Sequence, residues 1–229
     1  MARLEEEGES AYRKHSIFGF KFDSDGYGMF YERGKMKSAY KANIFAIEIN
    51  EKKHRKEEKQ SRTDGAVVFG NPFIYGKQNN FYQFKLGLGQ QYMFGGKGNK
   101  NGVGVYFVYM GGLSLGLLKP YYVEVESPAN SGIIKQIKYS QADSAEFMGP
   151  NIIGSAGFGK GWSELKIAPG VHVKTALRFD WGRFNNIISA AEAGFNFEYY
   201  PTDVEQMVGV EPNHFFINSY IAILFGSRK

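Results

Sequence analysis

From Leu165 to Trp181 the chain keeps a two-residue period, and no other feature limits the possible folds as strongly. Leu165, Ile167, Val171, Val173, Leu177, Phe179 and Trp181 share one face, with Pro169 and Thr175 as its exceptions. Lys166, His172, Lys174, Arg178 and Asp180 share the other, with Ala168, Gly170 and Ala176. Successive side chains of a strand point to opposite faces, so this pattern is that of one long amphipathic strand. Bulky apolar groups on one side and charges on the other suit a wall between lipid and a polar interior.

That reading fits the rest of the composition. The 229 residues hold 29 Gly, 20 Phe and 15 Tyr but no Cys. No stretch approaches the ~18 consecutive apolar residues of a spanning helix. A barrel wall needs only every second residue to be apolar, so its mean hydropathy stays modest; here it is −0.37. A formal charge of +5 is too mild to imply nucleic acid. The missing Cys excludes disulfides and thiolate metal sites. Residues 1–14 read as a flexible polar leader ahead of a single β-barrel domain, 15–229. Met1–Tyr12 contains no apolar run of the signal-peptide kind, so a mature form with its export signal removed is expected.

Eight strands are predicted, over 16–23, 27–34, 40–50, 79–93, 101–117, 163–181, 186–200 and 214–226. The fourth sets Tyr82, Phe84, Leu86, Leu88 and Tyr92 against Gln83, Lys85, Gly87, Gly89 and Gln91. The last places Phe215, Ile217, Ile221, Ile223 and Phe225 on one face. Connections alternate between short turns (Lys35–Ser38, Gly95–Asn99, Gly182–Asn185) and long segments near 51–78, 118–162 and 201–213. Only the first, Asp23-Ser24-Asp25-Gly26, is short where a long one is due, and its Asp-Gly pair is a hairpin signal. The fold expected is an all-β, eight-stranded antiparallel up-and-down transmembrane barrel, with short periplasmic turns and long outer loops. Tyr92, Phe94, Tyr121, Tyr122, Trp181, Tyr199, Tyr200, Phe215 and Phe216 lie near strand ends, where interfacial girdles form. The same aromatics would also serve as the core of a soluble β protein.

Three segments, Gly26–Lys35 (GYGMFYERGK), Glu51–Lys59 (EKKHRKEEK) and Glu164–Trp181, resemble a family of small outer-membrane β-barrels of Bacteroidota. The likeness runs from about residue 16 onward. It implies a Gram-negative outer membrane and a cleaved export signal, and it carries over no activity and no site residues.

Candidate functional residues fall into three groups. With the polar face inward, Lys21, Asp23, Glu32, Glu48, Lys85, Lys166, His172, Lys174, Arg178, Asp180, Glu192 and Glu198 line the lumen. An eight-stranded barrel is just wide enough to be filled by its own side chains, so mixed charges there are expected to form a salt-bridged plug. A gated ion path or proton relay is the functional alternative. Glu192 is expected close to Lys174 and Arg178 across the turn near Asn185. The second group is Lys52, Lys53, Arg55, Lys56, Lys59 and Arg62, at the start of a long connection. These suit lipopolysaccharide phosphates or an acidic partner, or simply a solvated loop. The third is His214 with Asp203, a pair able to activate water; Ser219 lies on the opposite strand face from His214. Gly154–Gly161 nearly spells a phosphate-binding loop but lacks the hydroxyl residue after Lys160, and reads as flexible connection. No metal and no cofactor are expected.

The function expected is a structural or adaptor component of an envelope complex, in contact with outer-membrane lipid or lipopolysaccharide and with other envelope proteins. The alternatives are a lipid- or peptide-hydrolysing enzyme at the outer rim and a soluble, lipocalin-like binder of apolar ligands. A lipocalin turns the same alternation inside out, so the pattern alone leaves open which face is inside.

Overall fold

The computed structural model describes residues 13–64, 67–97, 102–127, 132–182 and 186–229. Its strands are β1 (Lys14–Asp23), β2 (Gly26–Ser38), β3 (Lys41–Lys52), β4 (Lys59–Asp64), β5 (Val67–Ile74), β6 (Asn79–Gly95), β7 (Gly104–Pro120), β8 (Tyr122–Glu126), β9 (Ile134–Lys138), β10 (Ile152–Ser155), β11 (Lys166–Asp180), β12 (Ile187–Val204) and β13 (Asn213–Arg228). Eight of them close a barrel in the order β1-β13-β12-β11-β7-β6-β3-β2. Every neighbouring pair is antiparallel, and β1 returns to β13 from His15↔Arg228 to Asp23↔Tyr220. Closure leaves no free sheet edge. The eight predicted strands are these eight, each shifted by a few residues at its ends.

Tertiary closure also settles which face is inside. Phe18, Phe20, Phe22, Leu88, Leu113, Val171, Val173, Phe195, Ile217 and Ile221 are exposed on the outer wall. Lys21, Glu32, Glu48, Lys85, Lys174, Arg178, Glu192 and Glu198 are buried in the lumen. This is the reverse of the arrangement a lipocalin-like binder needs. A band of inward apolar side chains, including Ile17, Phe30, Ile44, Val108, Ala190 and Leu224, packs beside the charges.

Pro169 fits its place for a simple reason. The β7 side of β11 is paired down to Lys166, whereas pairing with β12 begins only at Val171. Proline, which lacks an N–H, therefore sits where the strand has a single neighbour. The first turn is tight, as expected, but its glycine has a different role. Gly26 pairs with Asp23, so Ser24 and Asp25 form the turn. A Cβ at Gly26 would lie 1.9 Å from the Glu51 carbonyl oxygen, so close approach of β3 is what requires glycine there.

The two longest connections, expected as loops, instead build a cap. β4 and β5 form a hairpin, and β10-β8-β9 form a small sheet. Gly154 makes the contact between them possible, since a Cβ there would meet the Asn71 backbone oxygen at 2.5 Å. Phe73, Val123, Val125, Phe147 and Ile152 make a separate apolar core, covered by Tyr121, Ile137, Tyr139, Met148 and Val208. The signal for β8 was present in Tyr122-Val-Glu-Val-Glu126, whose valines point inward and whose neighbours are less buried.

The girdle expectation holds for part of its set. Phe94, Trp181, Tyr199 and Phe215 are exposed on the outer wall. Tyr92 stacks on Tyr109, and Phe94 stacks on Phe107. Tyr200 and Phe216 instead pack inside, against Phe81. Tyr121 joins the cap, where its hydroxyl accepts the Ile74 N–H at 3.1 Å. Residues 1–12 of the expected leader, and Asn185 with part of the expected turns, lie outside the described residues.

Candidate functional site

Paired charges are arranged in three layers along the lumen. Near the short turns, Arg178 is the hub. Its Nη1 and Nη2 donate to Glu32 at 2.7 and 2.8 Å, and its Nε donates to Glu192 at 2.8 Å. Arg178 and Glu192 are direct partners in the β11–β12 register. Glu32 arrives from β2, on the far side of the barrel. Lys174 Nζ lies 2.9 Å from Glu192, whose other contacts include the Tyr220 hydroxyl at 2.5 Å. His15 Nε2 is 3.3 Å from Glu32. The planar guanidinium fork grips Glu32 with two parallel hydrogen bonds while its Nε serves Glu192, a fixed geometry that a lysine's point charge does not impose.

In the middle layer Lys21 bonds Glu48 and lies 3.5 Å from Asp23. Asn50 donates to Glu48 at 2.7 Å. Lys85 joins this layer to the next, 3.6 Å from Glu48 and 2.5 Å from Glu198. Toward the outer end, Glu198 also accepts Gln83 Nε2 at 2.6 Å and lies 3.5 Å from Lys52. Lys52 reaches Asp25 at 2.7 Å. At the opposite mouth Asp180 binds Arg228 and lies 3.2 Å from Lys97. Burying a charge costs several kcal/mol unless it is paired and hydrogen-bonded, and each of these charges meets an opposite one.

His172 is also buried, but its Nδ1 has no hydrogen-bond partner among the described residues. Lys166 departs from the expectation. It shares the strand face of His172 and Lys174 but lies past the closed part of the lumen and is exposed. Lys52, read from the sequence as part of a rim patch, is a lumen residue. Its signal was the continuing alternation Glu48, Asn50, Lys52, all of them buried.

The basic run does not form one patch. Lys53 lies over the Tyr27 ring, with Nζ 5.2 Å from its centroid. Arg55 and Lys56 are exposed in a turn, where Glu57 accepts the His54 N–H at 3.0 Å. Lys59 opens β4, and Arg62 lies 3.8 Å from Glu126 of β8. Beside this region, Glu164 accepts hydrogen bonds from Tyr122 and Lys138. The hydrogen bond from Lys138 holds the Glu164 carboxyl below its ordinary value.

His214 and Asp203 do come together, with Nε2 3.2 Å from Oδ1. The other ring nitrogen, Nδ1, is 3.1 Å from the Tyr200 carbonyl oxygen. Both neighbours are acceptors, so both contacts are satisfied only when both ring nitrogens carry protons. Ser219 is on the outer wall, on the opposite face of β13 from His214. Gly154–Gly161 divides between the end of β10 and a turn, and it is followed only by a three-residue 3-10 turn, Trp162–Glu164, not by the α-helix of a phosphate-binding loop. Among the described residues no group of three or more His, Asp or Glu is placed to hold a metal ion.

No protein-family model and no curated protein matches the chain. Solved structures do show a likeness. Neisserial surface protein A is similar at 8% identity and a TM-score of 0.44, over 95% of this chain and 97% of that one. Ail, the attachment invasion locus protein of Yersinia pestis, was solved in complex with the heparin analogue sucrose octasulfate. It is similar at 9% identity and a TM-score of 0.41, over 95% and 98% of the two chains. A major outer membrane protein of Thermus thermophilus is similar at 11% identity and a TM-score of 0.40, over 94% and 100%. For this chain, the barrel assignment rests on its own strand order.

Proposed function

We propose that this chain is an outer-membrane β-barrel with a plugged lumen, acting as a structural or adaptor component of an envelope complex. The observation that carries the reading is the inversion of the wall, with paired charges inside and Phe, Ile, Leu and Val outside. Exposed apolar surface on this scale needs an apolar solvent, and a closed barrel is one of the two backbone forms a bilayer accepts. Lys85, Arg178, Glu32 and Glu198 bridge the interior from different walls, so opening a path for ions would require separating buried pairs. The cap supplies the contact surface, and lipopolysaccharide or another envelope protein is the class of partner proposed. The resemblance to barrels of Bacteroidota supplies the proposed source.

The test has two arms. The protein should be recovered from membranes only with detergent and should migrate differently on gels before and after boiling; a detergent-free monodisperse monomer would refute the membrane reading. In planar bilayers it should give no unit conductance. Discrete channel openings would refute the plug alone. The second reading, a rim hydrolase, is favoured only by the Asp203–His214 contact. Loss of a measurable lipid or peptide hydrolysis in His214→Ala would establish it, whereas unchanged or absent hydrolysis would end it.

A further inference from the structure

Between the outer rim of the barrel and the cap lies a cleft of about 440 Å³. Its lining combines Lys53, Lys59, Lys77, Lys119 and Lys160 with two carboxylates, Glu51 and Glu57. Of the two carboxylates only Glu57 is neutralised by a lysine, whereas Glu51 keeps its charge beside a neutral hydroxyl. Glu57 holds Lys77 at 2.7 Å, and Glu51 accepts the Tyr27 hydroxyl. Lys53, Lys59, Lys119 and Lys160 have no carboxylate within ion-pair distance among the described residues.

Lys119 is the unusual member. It stands at the end of β7 and is 2% exposed. Its Nζ donates to the Phe158 carbonyl oxygen at 2.6 Å. It lies 4.4 Å from the Phe158 ring centroid and 4.9 Å from that of Trp162. Aromatic faces, one carbonyl and the more distant charge of Glu51 partly stabilise the ammonium, but a buried cation without a carboxylate in contact remains costly. In the lumen, by contrast, every buried lysine described above has a carboxylate. The wall beside Lys119 is aromatic. Tyr82 stacks on Trp162 at 5.6 Å with the planes 17° apart, and Phe158 meets Trp162 edge-on at 5.2 Å. Phe158 is nevertheless 68% exposed at the edge of the cleft, an unusual position for a phenyl group facing water.

We propose that this cleft binds an anionic saccharide, one carrying phosphate, sulfate or carboxylate groups. The unneutralised lysines supply the attraction for the anionic groups. Exposed aromatic faces, whose π clouds are electron-rich, supply a platform for the weakly positive C–H face of a sugar ring. The volume is of the size of an ordinary small-ligand site and exceeds what a lone phosphate needs. Trp162 backs the cleft's Tyr82 and Phe158, and it follows a glycine that the backbone requires. At Gly161 the φ of +87° and the 2.7 Å that would separate a Cβ from the Pro120 oxygen exclude a side chain. The inference rests on the proposed outward orientation of the cap, but not on the plug or on an adaptor role.

The test uses the full chain in detergent and isothermal titration calorimetry. Probes are a bis-phosphorylated glucosamine disaccharide, representing the cell's own surface lipid, a sulfated uronic-acid tetrasaccharide, representing an external glycan, neutral maltotetraose and inorganic phosphate. At least one anionic sugar should bind, at least tenfold more tightly than maltotetraose and phosphate, and more weakly as salt rises. Lys119→Met should weaken that binding at least tenfold. Lys160→Gln, at an exposed position where folding is not at stake, should weaken it about three- to fivefold. Which anionic sugar binds identifies the source. Binding of neither, equal binding of maltotetraose or phosphate, or affinity unchanged in Lys160→Gln would overturn the proposal. Membrane recovery and bilayer conductance are measured on the same preparation, so failure of the cleft is separable from failure of the barrel reading.

Discussion

The barrel and its cap solve the same problem with opposite chemistry. In the barrel the interior is charged and the exterior is apolar, whereas in the cap Phe73, Val123, Val125, Phe147 and Ile152 are inside. The cap is built like a small water-soluble protein, with the hydrophobic effect driving its packing. The barrel wall gains nothing from hiding its apolar groups if its solvent is lipid, so its inner face is free to be polar. What the lumen then requires is complementarity. Each carboxylate must meet a cation, because an unpaired buried charge is worse than either an apolar residue or a complete pair.

Four substitutions break or sharpen this contrast. Arg178→Met should have the largest effect, about 3–5 kcal/mol, because it leaves Glu32 and Glu192 buried without their shared partner. Urea midpoints for folding into lipid vesicles measure it, and adding Glu32→Gln should recover part of the loss, since Glu192 keeps Lys174 at 2.9 Å. Phe147→Ala should cost the cap about 3 kcal/mol by opening its apolar core, while the barrel midpoint stays where it was. Faster proteolysis within the cap, at unchanged barrel stability, is the expected result. The third and fourth substitutions form a pair. Phe195 on the barrel wall and Ile134 on the cap are almost equally exposed, at 54% and 56%. Phe195→Arg should cost about 2–4 kcal/mol if that wall faces hydrocarbon. Ile134→Arg, facing water, should stay within about 0.5 kcal/mol. Equal small effects at both sites would remove the distinction between the two solvents.

Much of the barrel was legible in the chain because its period is local. Lys174, Arg178 and Glu192 could be assigned to one face by counting alternate residues, and their meeting followed from a short turn between adjacent strands. Lys52 and Lys166 show where counting stops. Both lie on the inner face of their strands, but Lys52 is buried and Lys166 is exposed. The difference is set by how far each strand's neighbours and the cap extend over it, which no residue near it encodes. Tyr200 and Phe216 make the same point. An aromatic residue near a strand end suits a girdle or an interior equally well, and their packing against Phe81 depends on β6, more than a hundred residues earlier in the chain. The cleft was invisible for a related reason: Lys53, Lys119 and Lys160 come from three separate stretches, and only the folded cap gathers them.

By itself the sequence determined how many long strands there are, which residues share a face, and which connections are short or long. These are matters of local periodicity and turn chemistry. The tertiary structure decided which of the two faces is inside, because alternation is unchanged when a wall is turned over and only closure distinguishes lumen from exterior. It also decided which charges are partners. Arg178 and Glu32 are 146 residues apart, and nothing short of a closed barrel brings them to hydrogen-bonding distance.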